Sequence, residues 1–124
     1  MYTYVTEELP SLVERYFHVD STKRSVMGYS MGGNGALICA AKMPERYRSV
    51  TSIAPIGWPT RCEYFCHKAF RAYFGNIEGA AEYSITDILN AKGTSLKLPP
   101  GYVDVGAMDQ FRDHLMWPEL NRAL

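Results

Sequence analysis

Five residues, Gly28-Tyr29-Ser30-Met31-Gly32, hold a serine between two glycines at the spacing G-x-S-x-G, and Gly33 and Gly35 follow closely. The chemistry such an arrangement serves is nucleophilic attack on an acyl carbon. A serine forced into a tight strand-to-helix turn presents its hydroxyl, while the residues two before and two after it are drawn together. Only the smallest side chains then fit at positions 28 and 32. The first turn of the next helix offers backbone N–H groups and the positive end of its dipole to a developing oxyanion. In this scheme Ser30 is the nucleophile, Gly28 and Gly32 form the elbow, and the Met31 N–H is an oxyanion donor. With Gly and Ser each near ~7% of residues, the bare pattern arises by chance in roughly 4% of chains of this length. A strand pattern before it and a small-residue helix after it make it far more specific. The other use of a glycine-rich turn, a phosphate cradle, requires Lys-Ser or Lys-Thr after the glycines, and here Asn34-Gly35-Ala36 follows.

A serine nucleophile needs a base, and the base needs an orienting carboxylate. Asp109, in Gly106-Ala107-Met108-Asp109-Gln110-Phe111, stands just past a predicted strand, where the loops of a parallel sheet gather ligands. Its structural alternative is a helix N-cap. Asp104 falls inside that strand and Asp113 inside the next predicted helix. No histidine completes the order serine, acid, histidine. His18 and His67 precede Asp109, and His114 follows it by five residues rather than on a later loop. His114 is read as a solvated helix position.

Cys62, Cys66 and His67 could share a helix face, but a zinc site needs a further ligand and usually more cysteines. They are read as packing, and neither a metal nor another cofactor is expected. Cys39 lies in the apolar run Ala36–Ala41 and is assigned to the core. Trp58 and Tyr64 could line an acyl or thiol pocket, with packing the preferred reading.

The elements that must position these groups follow from the apolar spacing. Val5, Leu9, Leu12, Val13, Tyr16 and Phe17 predict an amphipathic helix over 4–17, kinked at Pro10. Strands are expected at 24–27, 49–53 and 102–105. Helices are expected at 33–43, stopped before Pro44, and at 63–74, 84–90 and 111–124, the last broken near Pro118. Strands alternating with helices give an α/β class with a parallel sheet of about three visible strands. So small a sheet leaves edges and apolar faces unpaired, which suggests the middle of a larger domain.

Composition narrows the partners. In 124 residues there are 13 basic and 13 acidic side chains, a net charge of zero, with 47% hydrophobic and 21% charged residues. That is a globular composition without the basic patch that nucleic acid wants. The longest apolar run is six residues, too short for a membrane. Residues 1–8 show no signal-peptide pattern. Three cysteines, an odd number, read as reduced thiols in a cytoplasmic protein.

Tyr4-Val5-Thr6-Glu7-Glu8-Leu9-Pro10 and Gly28–Ala40, with Ser52-Ile53-Ala54-Pro55-Ile56, Cys62, Lys68-Ala69-Phe70 and Asp109-Gln110-Phe111, resemble the S-formylglutathione hydrolase (esterase D) family in order along nearly the whole chain. The resemblance implies an α/β-hydrolase fold. It also implies hydrolysis of S-formylglutathione to glutathione and formate in formaldehyde detoxification, with side activity on short esters. Ser30 matches the nucleophile and Asp109 the triad acid; a small-molecule substrate and a homodimer of the intact protein are implied as well. Family members usually carry histidine where Tyr29 and Asn34 stand, and residues 63–67 run one residue longer than the family pattern. Residues 1–124 are expected to form one incomplete α/β-hydrolase domain. The N-terminal strands with the second oxyanion donor, the last strand, its histidine loop and the final helix are expected to lie outside it. The corresponding alternatives are a general short-chain carboxylesterase and a chain inactive for want of the histidine.

Overall fold

Short runs carrying β-branched residues between turn signals make the sheet. In the computed structural model, which describes residues 1–124, strands β1 (Ser25–Tyr29), β2 (Ser49–Ile53) and β3 (Gly101–Asp104) pair in parallel in the order β1-β2-β3. The register sets Met27 beside Thr51 and Tyr102, and Tyr29 beside Ile53 and Asp104. Val26, Val50 and Val103 share the opposite face and pack into the main core. Alternation does the rest: Met27, Tyr29 and Tyr102 stand on the other face and are exposed.

Parallel strands need crossovers. The first is α2 (Met31–Lys42), whose length from Gly33 to Ala41 is buried save Gly35. Its alanines let it lie close on β1 and β2, and Leu37 fills the space between the sheet and α4 (Ile85–Lys92). Burying a leucine of this kind stabilises by ~2 kcal/mol. The second crossover carries α3 (His67–Phe74) and α4. The chain ends in α5 (Trp117–Ala123), which plugs Leu120 into the same core. A smaller cluster of Ala54, Ile56, Cys62, Cys66 and Leu115 forms beyond the carboxyl end of the sheet.

Several boundaries differ from expectation for local reasons. β1 runs two residues past Met27, and α2 starts at Met31 rather than Gly33. The helix expected over 4–17 with a kink at Pro10 runs through the proline. A wide π turn at Tyr4–Glu8 runs into α1 (Leu9–Tyr16), with the Leu9 N–H bonded to the Tyr4 carbonyl five residues back. Proline lacks the N–H that would bond the Thr6 carbonyl, and that carbonyl accepts from Arg46 Nη1 at 3.2 Å instead. Amphipathic patterning is real there, yet Val5, Leu9, Leu12, Val13, Tyr16 and Phe17 are all exposed and only Thr6 is buried. The helix expected over 63–74 begins only at His67, and that over 84–90 extends to Lys92. Residues 110–116 form turns, not helix, so Asp113 lies in a turn and Asp104 ends β3. Pro118 starts α5 rather than breaking a helix.

Candidate active site

Ser30 sits where β1 becomes α2, with φ 56° and ψ −117°. This backbone region is sparsely populated by residues with side chains, and holding one there costs ~1–3 kcal/mol. The serine makes no capping bond to its own helix. Its carbonyl already accepts the first intrahelical bond, from the Asn34 N–H at 3.2 Å. The N–H groups of Met31, Gly32 and Gly33 are thus the first-turn donors that no intrahelical acceptor takes.

The strained turn is held from three sides. The Ser30 N–H donates to the Ile53 carbonyl at 2.9 Å, and the Ile56 N–H donates to the Ser30 carbonyl at 3.3 Å. A Cβ on Gly28 would stand 2.0 Å from the Gly32 carbonyl oxygen and 2.3 Å from its carbon, so residue 28 must be glycine. The expectation for Gly32 is corrected. A Cβ there meets nothing within 4 Å, because it is the Gly32 backbone, not its α-hydrogen side, that crowds Gly28. The second glycine under steric demand is Gly33, whose Cβ would lie 2.9 Å from Ser52 Oγ and 3.1 Å from Pro55 Cα. β2 also ends on a left-handed residue, Ala54 at φ 43°, whose N–H donates to the Asp104 carbonyl at 2.6 Å. β1 and β2 therefore leave the sheet side by side at sharp turns.

Asp109 lies five residues beyond β3, at the same end of the sheet as Ser30 and two strands away, ~10 Å by strand spacing. It is half-buried, and Oδ1 accepts the Phe111 N–H at 2.8 Å. The carboxylate thus caps a turn; no helix follows for it to cap. Its hydrogen bond leaves Oδ2 free for another partner. No histidine reaches Ser30 or Asp109. The ring of His114 stacks on Tyr64 at 4.4 Å and 13°, with Phe65 edge-on, and His67 Nε2 pairs with the Thr60 carbonyl at 2.9 Å. His18 is exposed beyond α1.

The other candidates resolve as packing. Cys39 is buried, and burial pushes its thiol up from its ordinary value. Cys62 Sγ donates to the His114 carbonyl at 3.1 Å, and burial pushes the Cys66 thiol up to about 12, with Cys62 beside it adding to the effect. Tyr64 belongs to an aromatic group with Phe65, Phe111 and His114. Trp58 is pinned by its Nε1–H donating to Asp87 Oδ1 at 3.0 Å; Thr60 Oγ1 holds the other carboxylate oxygen. Asn34, buried, faces away from the elbow. Its Nδ2 donates to the Tyr83 carbonyl and its Oδ1 accepts from the Ile85 N–H, both at 3.1 Å. That tie between α2 and the start of α4 spans 49 and 51 residues of sequence, so no local pattern marks it.

Comparison with known proteins gives the family and the fold. The family model described as "Putative esterase" matches residues 1–121. An S-formylglutathione hydrolase of Mus musculus is 44% identical over 113 residues, covering 90% of this chain and 39% of the mouse protein. One of Paracoccus denitrificans is 43% identical over 122 residues, covering 96% of this chain and 41% of the bacterial one. The chain thus spans about two fifths of the length of these curated relatives. A solved S-formylglutathione hydrolase from Agrobacterium tumefaciens superposes with a TM-score of 0.89 at 34% identity, over 99% of this chain and 44% of that one. The serine hydrolase FphF of Staphylococcus aureus shares the fold at a TM-score of 0.73 and 18% identity. Three parallel strands under flanking helices are the α/β-hydrolase-like arrangement of these neighbours. By the match over nearly its full length, the chain belongs to this esterase family.

Proposed function

We propose that the protein bearing this chain is a serine thioesterase that hydrolyses S-formylglutathione to glutathione and formate. The observation that carries the reading is Ser30 itself, strained at φ 56° between a strand and a helix whose first N–H groups are open. Relatives named S-formylglutathione hydrolase, 43–44% identical across most of this chain, supply the substrate.

Ser30 Oγ attacks the thioester carbonyl carbon and gives up its proton to a base. The oxygen takes up negative charge and is met by the Met31 N–H, aided by the dipole of α2. Collapse breaks the C–S bond, and glutathione leaves as the protonated thiol. Water then attacks the formyl ester on Ser30, releasing formate and restoring the hydroxyl. Asp109 orients the basic imidazole through its carboxylate. None of His18, His67 and His114 is bonded to either residue, so the imidazole comes from outside this chain. Residues 1–124 serve as part of one α/β-hydrolase domain, cytoplasmic and homodimeric when intact. No helix is long and apolar enough to cross a membrane, and all three thiols are free, which supports that placement.

The absent histidine contact favours a second reading for the 124-residue chain alone, that it is inactive. Loss of a triad base costs about a million-fold in turnover in a well-studied serine hydrolase. Turnover of S-formylglutathione by the relative-length protein, lost on Ser30→Ala, is the expected result; turnover that survives Ser30→Ala overturns the proposal. Faster turnover of a short neutral ester than of S-formylglutathione points to a general carboxylesterase instead.

A further inference from the structure

Two clefts open side by side along the segment that follows β2. The larger, about 720 Å³, is bordered by Trp58, Arg61, Glu63 and Asp87 among others, and the smaller, about 490 Å³, by Arg61, Glu63, Tyr64 and His114 among others. Arg61, Glu63 and Met116 border both, so they form the wall between them. Met116 holds φ 55°, the kind of strained backbone that concentrates at ligand clamps. The Trp58 indole forms a fixed floor, bonded to Asp87, with the Arg61 guanidinium 5.6 Å above its ring. The four ion pairs of the structure involve other residues, so Arg61 and Glu63, two positions apart, present opposite charges without partners.

A free guanidinium fork takes a carboxylate, and the carboxylate beside it takes an ammonium. Together they match the zwitterionic end of an amino acid. The site is within reach of Ser30. The Ile56 N–H is bonded to the Ser30 carbonyl, and the five residues from Ile56 to Arg61 span at most ~18 Å. The turn closed by the Arg61 N–H on the Trp58 carbonyl at 2.9 Å shortens that path. An extended tripeptide covers ~10 Å of it. We infer that Arg61 and Glu63 hold the zwitterionic α-amino-acid end of a peptidic thiol whose acyl carbon is presented to Ser30, an inference that rests on the thioesterase reading above.

The test is equilibrium binding of S-methylglutathione, an unreactive thioether, to the 124-residue chain. The indole N–H signals of its two tryptophans are followed by NMR. The Trp58 signal shifts saturably, and Arg61→Gln or Glu63→Gln each weakens binding roughly tenfold, as loss of one charge-assisted contact does. No saturable shift, or equal affinity in Arg61→Gln, overturns the inference. The two proposals fail separately. Binding that depends on Arg61, with no Ser30-dependent turnover in the relative-length protein, keeps this site and removes the thioesterase reading. Turnover with an unchanged KM in Arg61→Gln does the reverse.

Discussion

Replacing Gly28 by alanine tests the geometry of the elbow directly. The added methyl carbon would stand 2.0 Å from the Gly32 carbonyl oxygen, 2.3 Å from its carbon and 2.8 Å from the Gly33 nitrogen. All three are backbone atoms of the first turn of α2, so no rotamer change relieves the overlap, and the turn itself must move. Overpacking of this kind typically costs 1–3 kcal/mol, and a clash with backbone belongs at the top of that range, ~3 kcal/mol. A domain of this size is stable by only ~5–15 kcal/mol. With a urea slope of ~1–3 kcal/mol per molar, the unfolding midpoint should fall by ~1–3 M. Gly32→Ala is the matched control. Its methyl group meets nothing within 4 Å, and alanine is the better helix former by up to ~1 kcal/mol, so the midpoint should hold or rise. The readout is urea unfolding followed by far-UV circular dichroism. A Gly28→Ala midpoint within error of wild type, or equal losses at both positions, would refute the assignment of the steric demand to Gly28.

Ser30→Gly should raise stability by about 1 kcal/mol, the relief of a strained backbone less the extra unfolded-state freedom of glycine, while removing the nucleophile; a fall in thermal midpoint would speak against stored strain. Asn34→Ala leaves the Tyr83 carbonyl and the Ile85 N–H without their partner and should cost ~2–3 kcal/mol in the same urea experiment, against near-neutrality if the tie is solvent-exchangeable. Asp87→Ala frees the Trp58 indole and should shift its emission to the red at a cost of ~1–2 kcal/mol; an unchanged spectrum would show that Asp87 does not hold the ring. The Cys66 thiol, at about 12 when folded against an ordinary 9.0, stays neutral while the unfolded chain ionises. Its contribution to stability is therefore complete below about pH 9 and is lost as pH rises from there toward 12. Cys66→Ala should flatten that part of the stability profile, and an unchanged slope would remove the assignment.

What could be read from the sequence was what backbone geometry alone encodes. Gly28 specifies the turn because no residue with a Cβ fits there, Ser30 marks it by its place in the motif, and the three strands announce themselves by their β-branched residues between turn signals. The helix expected over 111–116 failed for a different reason. Apolar spacing there suits a helix, but the acceptors a helix would use are taken elsewhere. The Leu115 carbonyl accepts from the Gly57 N–H at 2.6 Å. The carbonyl of His114 would need the N–H of residue 118, which is proline, and it takes the Cys62 thiol at 3.1 Å instead. Both competing donors lie more than fifty residues away in sequence, where no local pattern can show them. The contacts of Gly33 and Asn34 are hidden on the same ground. Both fall in the helix expected over 33–43, where nothing local shows that one is small to admit Pro55 and the other is polar to hold the 83–85 segment.

The same long-range contacts explain why the strained serine persists. A backbone held at φ 56° relaxes unless several constraints fix it at once. Here β1 and β2 both end on residues of positive φ, Ser30 and Ala54, and each end is bonded to the neighbouring strand, Ser30 to Ile53 and Ala54 to Asp104. The loop after β2 returns its Ile56 N–H to the Ser30 carbonyl, while Pro55 packs against Gly33 one helical turn beyond the serine. The elbow is therefore made by two strands rather than one. A substitution that loosened only the β2 end, such as Gly33→Val against Ser52 and Pro55, should disturb Ser30 without touching β1.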